Sequence, residues 1–212
     1  MDQVAICNLA LSRIGCKDIA SLTQQSREAF ACKSVYAAAL SATLRGHDWS
    51  FARKPAVLAL SNETHPEWLL VYRYPADCEA ARRIANPCHL YECEDEKDKI
   101  PFEVGLSQTG NYQVILTNHP CATLIYTASV TNTNAFDSVF CDALAWRIAA
   151  ETAQPLRGDT ALAGTMGTNF LKAISGAQAD SDLESKPRRE SRGTFVDYRN
   201  GELGYDFRNG RE

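Results

Sequence analysis

His47 and Asp48, adjacent at the end of a helical pattern, and Cys88-His89 with Cys93, set among Glu92, Glu94, Asp95, Glu96 and Asp98, are the groupings whose residue types could move a proton or hold a metal. Neither spacing favours that chemistry. Side chains one position apart diverge on a helix or a strand, so His47 and Asp48 make a poor proton relay. A tetrahedral zinc site takes four ligands, and Cys88, His89 and Cys93 would need a second ligand pair from elsewhere. The eight cysteines (Cys7, Cys16, Cys32, Cys78, Cys88, Cys93, Cys121 and Cys141) contain no Cys-x-x-Cys pair. Cys7, Cys32 and Cys141 fall on apolar faces of predicted helices, where a free thiol acts as a small buried hydrophobe, a usage suited to a reducing cytoplasm.

Other signatures of catalysis are missing from the sequence. There is no Gly-x-x-x-x-Gly-Lys-Ser/Thr loop, no Gly-x-Gly-x-x-Gly turn to cradle phosphates, and no Gly-x-Ser-x-Gly elbow to expose a nucleophile. The acidic run from 92 to 98 reads more simply as a solvated loop than as the paired carboxylates of a glycosidase, and His47, His65, His89 and His119 lie near turns. The expectation is a protein that is not an enzyme and uses no cofactor and no metal.

The elements that position these residues follow from composition and periodicity. A chain of 212 residues, 45% apolar and 23% charged, has enough apolar content for one large core or two small ones. A net charge of -4 argues against a phosphate-gripping face. No apolar run reaches the roughly 18 residues needed to cross a bilayer, and residues 1–15 read as an amphipathic helix rather than a secretion signal.

Val4, Cys7, Leu11 and Ile14 form one stripe of a helix over 2–14 that stops at Gly15. Ser21 or Thr23 is the expected cap of a second helix running to about Arg45, with Ala29, Cys32, Tyr36, Leu40 and Leu44 recurring every three or four residues and Gly46 at the left-handed stop. From about Ser50 the period becomes two. Trp49 and Phe51 begin the alternation, and segments 50–60, 67–74, 79–85, 89–93, 100–106, 112–116 and 123–130 are expected as short strands of an antiparallel sandwich or small barrel. Helical spacing returns at Asn134, the expected cap, with Phe136, Val139, Phe140, Ala143, Trp146 and Ala150 in a stripe that Pro155 ends. A fourth helix, 159–177, carries Leu162, Met166, Phe170 and Ile174 despite three glycines.

The expected fold is therefore α+β: a discontinuous α-helical bundle, its first half in 1–50 and its second in 134–178, an inserted antiparallel β domain in 51–133, and an extended C-terminal arm in 179–212. A two-helix hairpin cannot enclose its own apolar faces, so the halves must meet. The arm is polar, yet Phe195, Tyr198, Tyr205 and Phe207 are spaced through it like anchors for a partner. At about 3.3 Å per residue it could reach on the order of 100 Å.

With that organisation in place, Leu44-Arg45-Gly46-His47-Asp48-Trp49-Ser50-Phe51-Ala52, following a helical hairpin, resembles the tail tubular protein A family, the head-to-tail adaptors of short-tailed bacteriophages. Pro66-Glu67-Trp68-Leu69-Leu70-Val71-Tyr72-Arg73-Tyr74-Pro75-Ala76-Asp77-Cys78 is similar to that family's Trp, Tyr, Pro-x-Asp-Cys segment, and Ile6-Cys7-Asn8-Leu9-Ala10-Leu11-Ser12-Arg13-Ile14-Gly15 also fits. The matching segments occupy roughly the first third of the chain. The resemblance implies a structural virion protein at the head-tail junction, made in the host cytoplasm: a homo-oligomeric ring, usually of twelve subunits, that binds the portal protein, carries the tail tube or nozzle protein below, and passes DNA through its lumen without specific binding or any membrane contact. It implies a portal-binding arm with Arg188, Arg189, Arg192, Phe195, Tyr198, Tyr205 and Phe207. His47, Asp48, Trp49, Phe51, Trp68, Tyr72, Pro75 and Asp77 would then form an interdomain joint or subunit interface. Two rival classes are a connector or head-completion protein of long-tailed phages, which usually lacks so large a β block, and a tail-associated cell-wall hydrolase, which needs an acid held in an apolar pocket.

Overall fold

Each helix begins where a short polar side chain can accept a hydrogen bond from the first turn. In the computed structural model, which describes residues 1–85 and 100–184, Asp2 accepts from the Ala5 N–H at 2.7 Å and opens α1 (Gln3–Arg13). The chain leaves α1 through Ile14 and Gly15, whose φ of 68° is left-handed. Ser26, not Ser21 or Thr23, caps α2 (Arg27–Gly46) by accepting from Ala29 N–H at 3.2 Å. Ser21 and Thr23 instead bond each other at 2.8 Å, and Ser21 also accepts from the Thr23 backbone. Their hydroxyls are used up in a local turn.

The same competition moves the start of α3 (Ser138–Arg157). Asp137 is its cap, accepting from Phe140 N–H at 2.6 Å. Asn134, the expected cap, lies in a 3-10 turn, Thr133–Ala135, that Asn132 caps. Pro155 does not end α3, which continues to Arg157 and closes at Gly158, φ 69°, through a 2.8 Å bond to the Gln154 carbonyl. The helix α4 (Thr160–Glu184) opens at Asp159, which accepts from Leu162 N–H at 2.9 Å, and runs beyond the expected end at 177. Residues 179–184, expected in the arm, are helical. A Cβ at Gly164, Gly167 or Gly176 would meet nothing within 4 Å, so no close packing calls for glycine there and its cost is helix propensity, which burial of Met166, Phe170, Ile174 and Ala177 offsets.

The helical core is continuous across both halves of the sequence. It joins Ile6, Leu11, Tyr36, Leu40 and Leu44 to Phe140, Leu144, Ile148, Met166, Phe170 and Ile174. Helix α3 is its axis, packing against α4, α2 and α1. Arg13 ties α1 to α3: its guanidinium lies 3.7 Å from the Trp146 ring centre and pairs with Asp142, which accepts from Trp146 Nε1 at 3.1 Å.

Between α2 and α3 the described residues form six strands, β1 (Arg53–Val57), β2 (Leu70–Arg73), β3 (Cys78–Ala85), β4 (Phe102–Leu106), β5 (Gln113–Thr117) and β6 (Thr123–Ala128). They form two antiparallel three-stranded sheets, β1-β6-β3 and β2-β5-β4. Neither sheet closes among the described residues, so the expected barrel is not formed there. Tyr72 and Ile115 of one sheet and Ile84, Leu124 and Tyr126 of the other share an apolar cluster. Val71, Val114 and Leu116 make a smaller cluster under Trp68. Segment 89–93, expected as a strand, lies outside the described residues.

Asp137→Ala should lower unfolding free energy by about 1 kcal/mol in urea titration, because it removes the cap of the axial helix, whereas Asp137→Asn should retain most of it.

Candidate functional site

The segment 44–52 connects the helices to the sheets. Gly46 is the last residue of α2 rather than a left-handed stop, and His47 follows extended at φ -146°, ψ 159°. A Cβ on Gly46 would stand 3.4 Å from Ile174 Cδ1 of α4, an ordinary contact distance, so α4 packs directly over this helix end. Ser50–Ala52 is a 3-10 turn, not the start of a strand. The reason is packing. The turn places Trp49 and Phe51 together in the helical core instead of on alternating faces of a sheet.

Trp49 is 3% exposed, and its Nε1–H donates to the Thr43 carbonyl at 2.9 Å. Its ring meets Phe140 edge-on at 5.0 Å between centres and His47 at 4.9 Å. Phe51 contacts Phe140 at 5.0 Å and Phe136 at 5.7 Å. Aromatic side chains from the end of α2, the 3-10 turn and the entry to α3 thus close on one another, Trp49 and Phe51 each meeting Phe140 edge-to-face, a geometry that adds to their burial.

Arg82 of β3 fastens the sheets to this joint. Its Nη2 donates to the carbonyls of Leu44 at 3.1 Å, Arg45 at 3.2 Å and His47 at 2.6 Å. Its Nε donates to Thr127 Oγ1 of β6 at 2.8 Å. The carboxyl end of α2 has carbonyls with no helical partner and carries the negative end of the helix dipole, so a guanidinium there satisfies both. Burial lowers the Arg82 pKa, with Asp48 acting in the opposite sense; the group stays charged. Glu79 makes a second tie, accepting from Ser41 Oγ at 2.7 Å through Oε2 and from Arg45 through its backbone carbonyl.

Asp48 and Asp77 hold the neighbouring strands. Asp48 takes both oxygens to Arg53, at 2.9 and 3.3 Å. Asp77 accepts from Lys54 Nζ at 2.6 Å and Tyr126 Oη at 2.9 Å, and its carbonyl accepts from Ser129 N–H at 2.7 Å. The bond from Lys54, then that from Tyr126, holds the Asp77 carboxyl below its usual value. Pro75 precedes it, its carbonyl accepting from Cys78 N–H at 3.0 Å as β3 begins.

Two residues grouped with the joint from sequence lie elsewhere. Tyr72 is inside the sheet cluster, its hydroxyl donating to the His119 carbonyl at 3.1 Å. Trp68 covers Val71, Val114 and Leu116, with Nε1–H donating to Glu103 at 3.2 Å. Arg82, Glu79 and Thr127 were not singled out by sequence. The only hint was Arg82-Arg83 directly after Ala80-Ala81, small residues leaving room beside a long cationic side chain. Arg188, Arg189, Arg192, Phe195, Tyr198, Tyr205 and Phe207 lie outside the described residues, as do Cys88, His89 and Cys93.

Among the described residues no three His, Cys, Asp or Glu side chains converge to hold a metal, and no helix is long and apolar enough to cross a membrane. What the arrangement does chemically is hold: it couples the end of a helix to two strands through charge-assisted hydrogen bonds. Neither protein-family models nor curated protein sequences give a match to this chain.

Arg82→Ala should cost about 2 kcal/mol in chemical denaturation, since it leaves the part-buried carbonyls of Leu44 and His47 without their donor, and Arg82→Lys should not restore the loss because an ammonium cannot span Thr127 and the helix end together. For Asp77 the native pKa is lowered, so its stabilisation is present above the ordinary carboxylate range near pH 4 and fades as pH falls through the native value. The Tm difference between wild type and Asp77→Asn should accordingly shrink on acidification and vanish below that value.

Proposed function

We propose that this chain is a structural virion protein, the head-to-tail adaptor of a short-tailed bacteriophage, acting as a ring that seats on the portal and presents a platform for the tail. The observation that carries the reading is the joint itself. The segment whose residues resemble the adaptor family, 44–52, is where the helical bundle hands over to the inserted sheets, and Trp49, Phe51 and Arg82 make that crossing stiff. A ring of identical subunits needs each copy to hold one angle between its parts, because small errors accumulate around a closed symmetry. In this reading the bundle builds the ring wall and the two sheets stack as a small sandwich reaching toward tail components. The arm, with Arg188, Arg189, Arg192, Phe195, Tyr198, Tyr205 and Phe207, docks on the portal.

A net charge of -4 agrees with a channel that DNA passes without being gripped. The protein needs no cofactor or catalytic group for this task, and the expected assembly is a homo-oligomer, by resemblance of twelve subunits, between the portal and a tail tube or nozzle protein. A β block with six strands among its described residues favours this over a connector of long-tailed type.

Electron microscopy of the full chain mixed with its portal tests the reading: rings seated on the portal are expected, and a persistent monomer that hydrolyses peptidoglycan would replace it with the hydrolase. Truncation after Glu184, beyond the end of α4, should leave the far-ultraviolet circular dichroism signal per helix intact and abolish portal binding. Undiminished binding of the truncated chain to isolated portal rings would remove the arm from the interface.

A further inference from the structure

Phe30 of α2 is 75% exposed and stands between two adjoining hollows at the end of the bundle remote from the sheets. The smaller, of about 190 Å³, lies between α2 and the last turn of α3, where Val35, Pro155 and Leu156 give it an apolar wall. A space of about 150 Å³ holds benzene, so there is room for one aromatic side chain beside Phe30. The larger, of about 500 Å³, opens toward the turn before α2. Arg27 and Lys33 border this groove, and no carboxylate does. Arg27 gives one bond to the Pro155 carbonyl, at 3.1 Å, from the five donors of a guanidinium. Among the described residues no carboxylate pairs with it or with Lys33. Shape and charge together suit an aromatic ring with a carboxylate next to it.

The sequence carries that unit twice. Asp197-Tyr198-Arg199-Asn200-Gly201 returns as Asp206-Phe207-Arg208-Asn209-Gly210, with aspartate directly before the ring in both. A polar segment gains no core from such a repeat, whereas two copies of one recognition unit raise its local concentration at a single site.

We infer that the groove around Phe30 is the docking site for one of these Asp-aromatic units, supplied by the chain's own C-terminal segment, 185–212. The ring enters the smaller hollow against Phe30, Pro155 and Leu156, and the carboxylate meets Arg27 and Lys33. Chain length permits this. Helix α4 starts just after Leu156 and carries the chain about 37 Å along α3 before Glu184. Extended at ~3.3 Å per residue, the return from Glu184 spans at most about 43 Å to Asp197 and about 73 Å to Asp206. The second unit thus arrives with slack, and the first only when nearly straight. A tether of this length holds its unit at an effective concentration in the millimolar range, so a contact too weak to join separate molecules suffices. The assignment does not rest on the adaptor reading. With one groove and two units per chain, one unit stays available to a partner.

The test uses equal parts of unlabelled and heavy-isotope-labelled full-length protein, with no portal present. A water-soluble carbodiimide joins a lysine amine to a carboxylate in contact with it, and tryptic peptides are then sequenced by mass spectrometry. Lys54 and Asp77, 2.6 Å apart, are the internal standard. Expected is residues 28–45 joined through Lys33 to residues 200–208 through Asp206, or to 193–199 through Asp197, both halves carrying the same label. Phe30→Ser, at an exposed position, should slow this joining by on the order of tenfold and leave the Lys54 to Asp77 product unchanged, and the double variant Tyr198→Ser, Phe207→Ser should do the same. Lys33 joined to neither aspartate while Lys54 and Asp77 are joined, or a rate indifferent to Phe30→Ser, overturns the proposal. So does a product pairing a light half with a heavy one, which would place the segment on a second copy.

Discussion

The constraint on which the molecule depends is the need of a part-buried helix end for hydrogen-bond donors. Helix α2 finishes against the sheets, and the chain leaves it extended at His47 instead of turning back through a left-handed residue. Its final carbonyls therefore cannot be met by the closing bonds that usually finish a helix. Arg82 supplies the donors from another element, and in doing so fixes β3 against α2. The carbonyl of Thr43, one turn earlier, orients Trp49. That ring then sets the places of Phe51 and Phe140. One unsatisfied helix terminus thus determines how both halves of the bundle and the first sheet come together.

The residues that resembled an adaptor family serve several different packing tasks. His47, Asp48, Trp49 and Phe51 belong to the crossing, and Asp77 sits at the base of the first sheet with Lys54 and Tyr126. Tyr72 and Trp68 lie on the β2-β5-β4 sheet, one in the cluster shared with the other sheet and one over a separate cluster. A linear segment can look like one unit because its members are adjacent in sequence. Strand alternation sends neighbouring residues to opposite faces, so 68 to 78 is divided between clusters that do not share a core.

The parts of the fold that were legible in sequence were those governed by local periodicity. The apolar stripe of α1 and that of α3 after Phe140 write themselves into residues three and four apart, whereas β5 is buried on both faces, Ile115 in one cluster and Val114 and Leu116 in another, so its alternation marked a strand without marking which side is covered. The cap of α2 was harder to place because Ser21, Thr23 and Ser26 have equivalent hydroxyls, and what separates them is which one bonds to its own turn. Trp49 and Phe51 alternate like a strand, but their burial against Phe140, nearly ninety positions away, selects a 3-10 turn. Arg82 carried almost no signal: its partners are backbone carbonyls, which every residue has, so no side-chain pattern announces them. The site was therefore readable as a place and unreadable as a set of contacts.

The axial position of α3 also has a temporal meaning. During synthesis α1 and α2 emerge long before the helix they must pack against, and the entire β block is translated in between. Over that interval the apolar stripes of the first two helices have no native partner and are open to chaperones or to non-native collapse. Closure of the bundle joins segments separated by about a hundred residues, so it carries the loop entropy of a distant contact and is expected to come late. Folding of the sheets first would shorten that loop, leaving the interrupted bundle to assemble around a domain already formed.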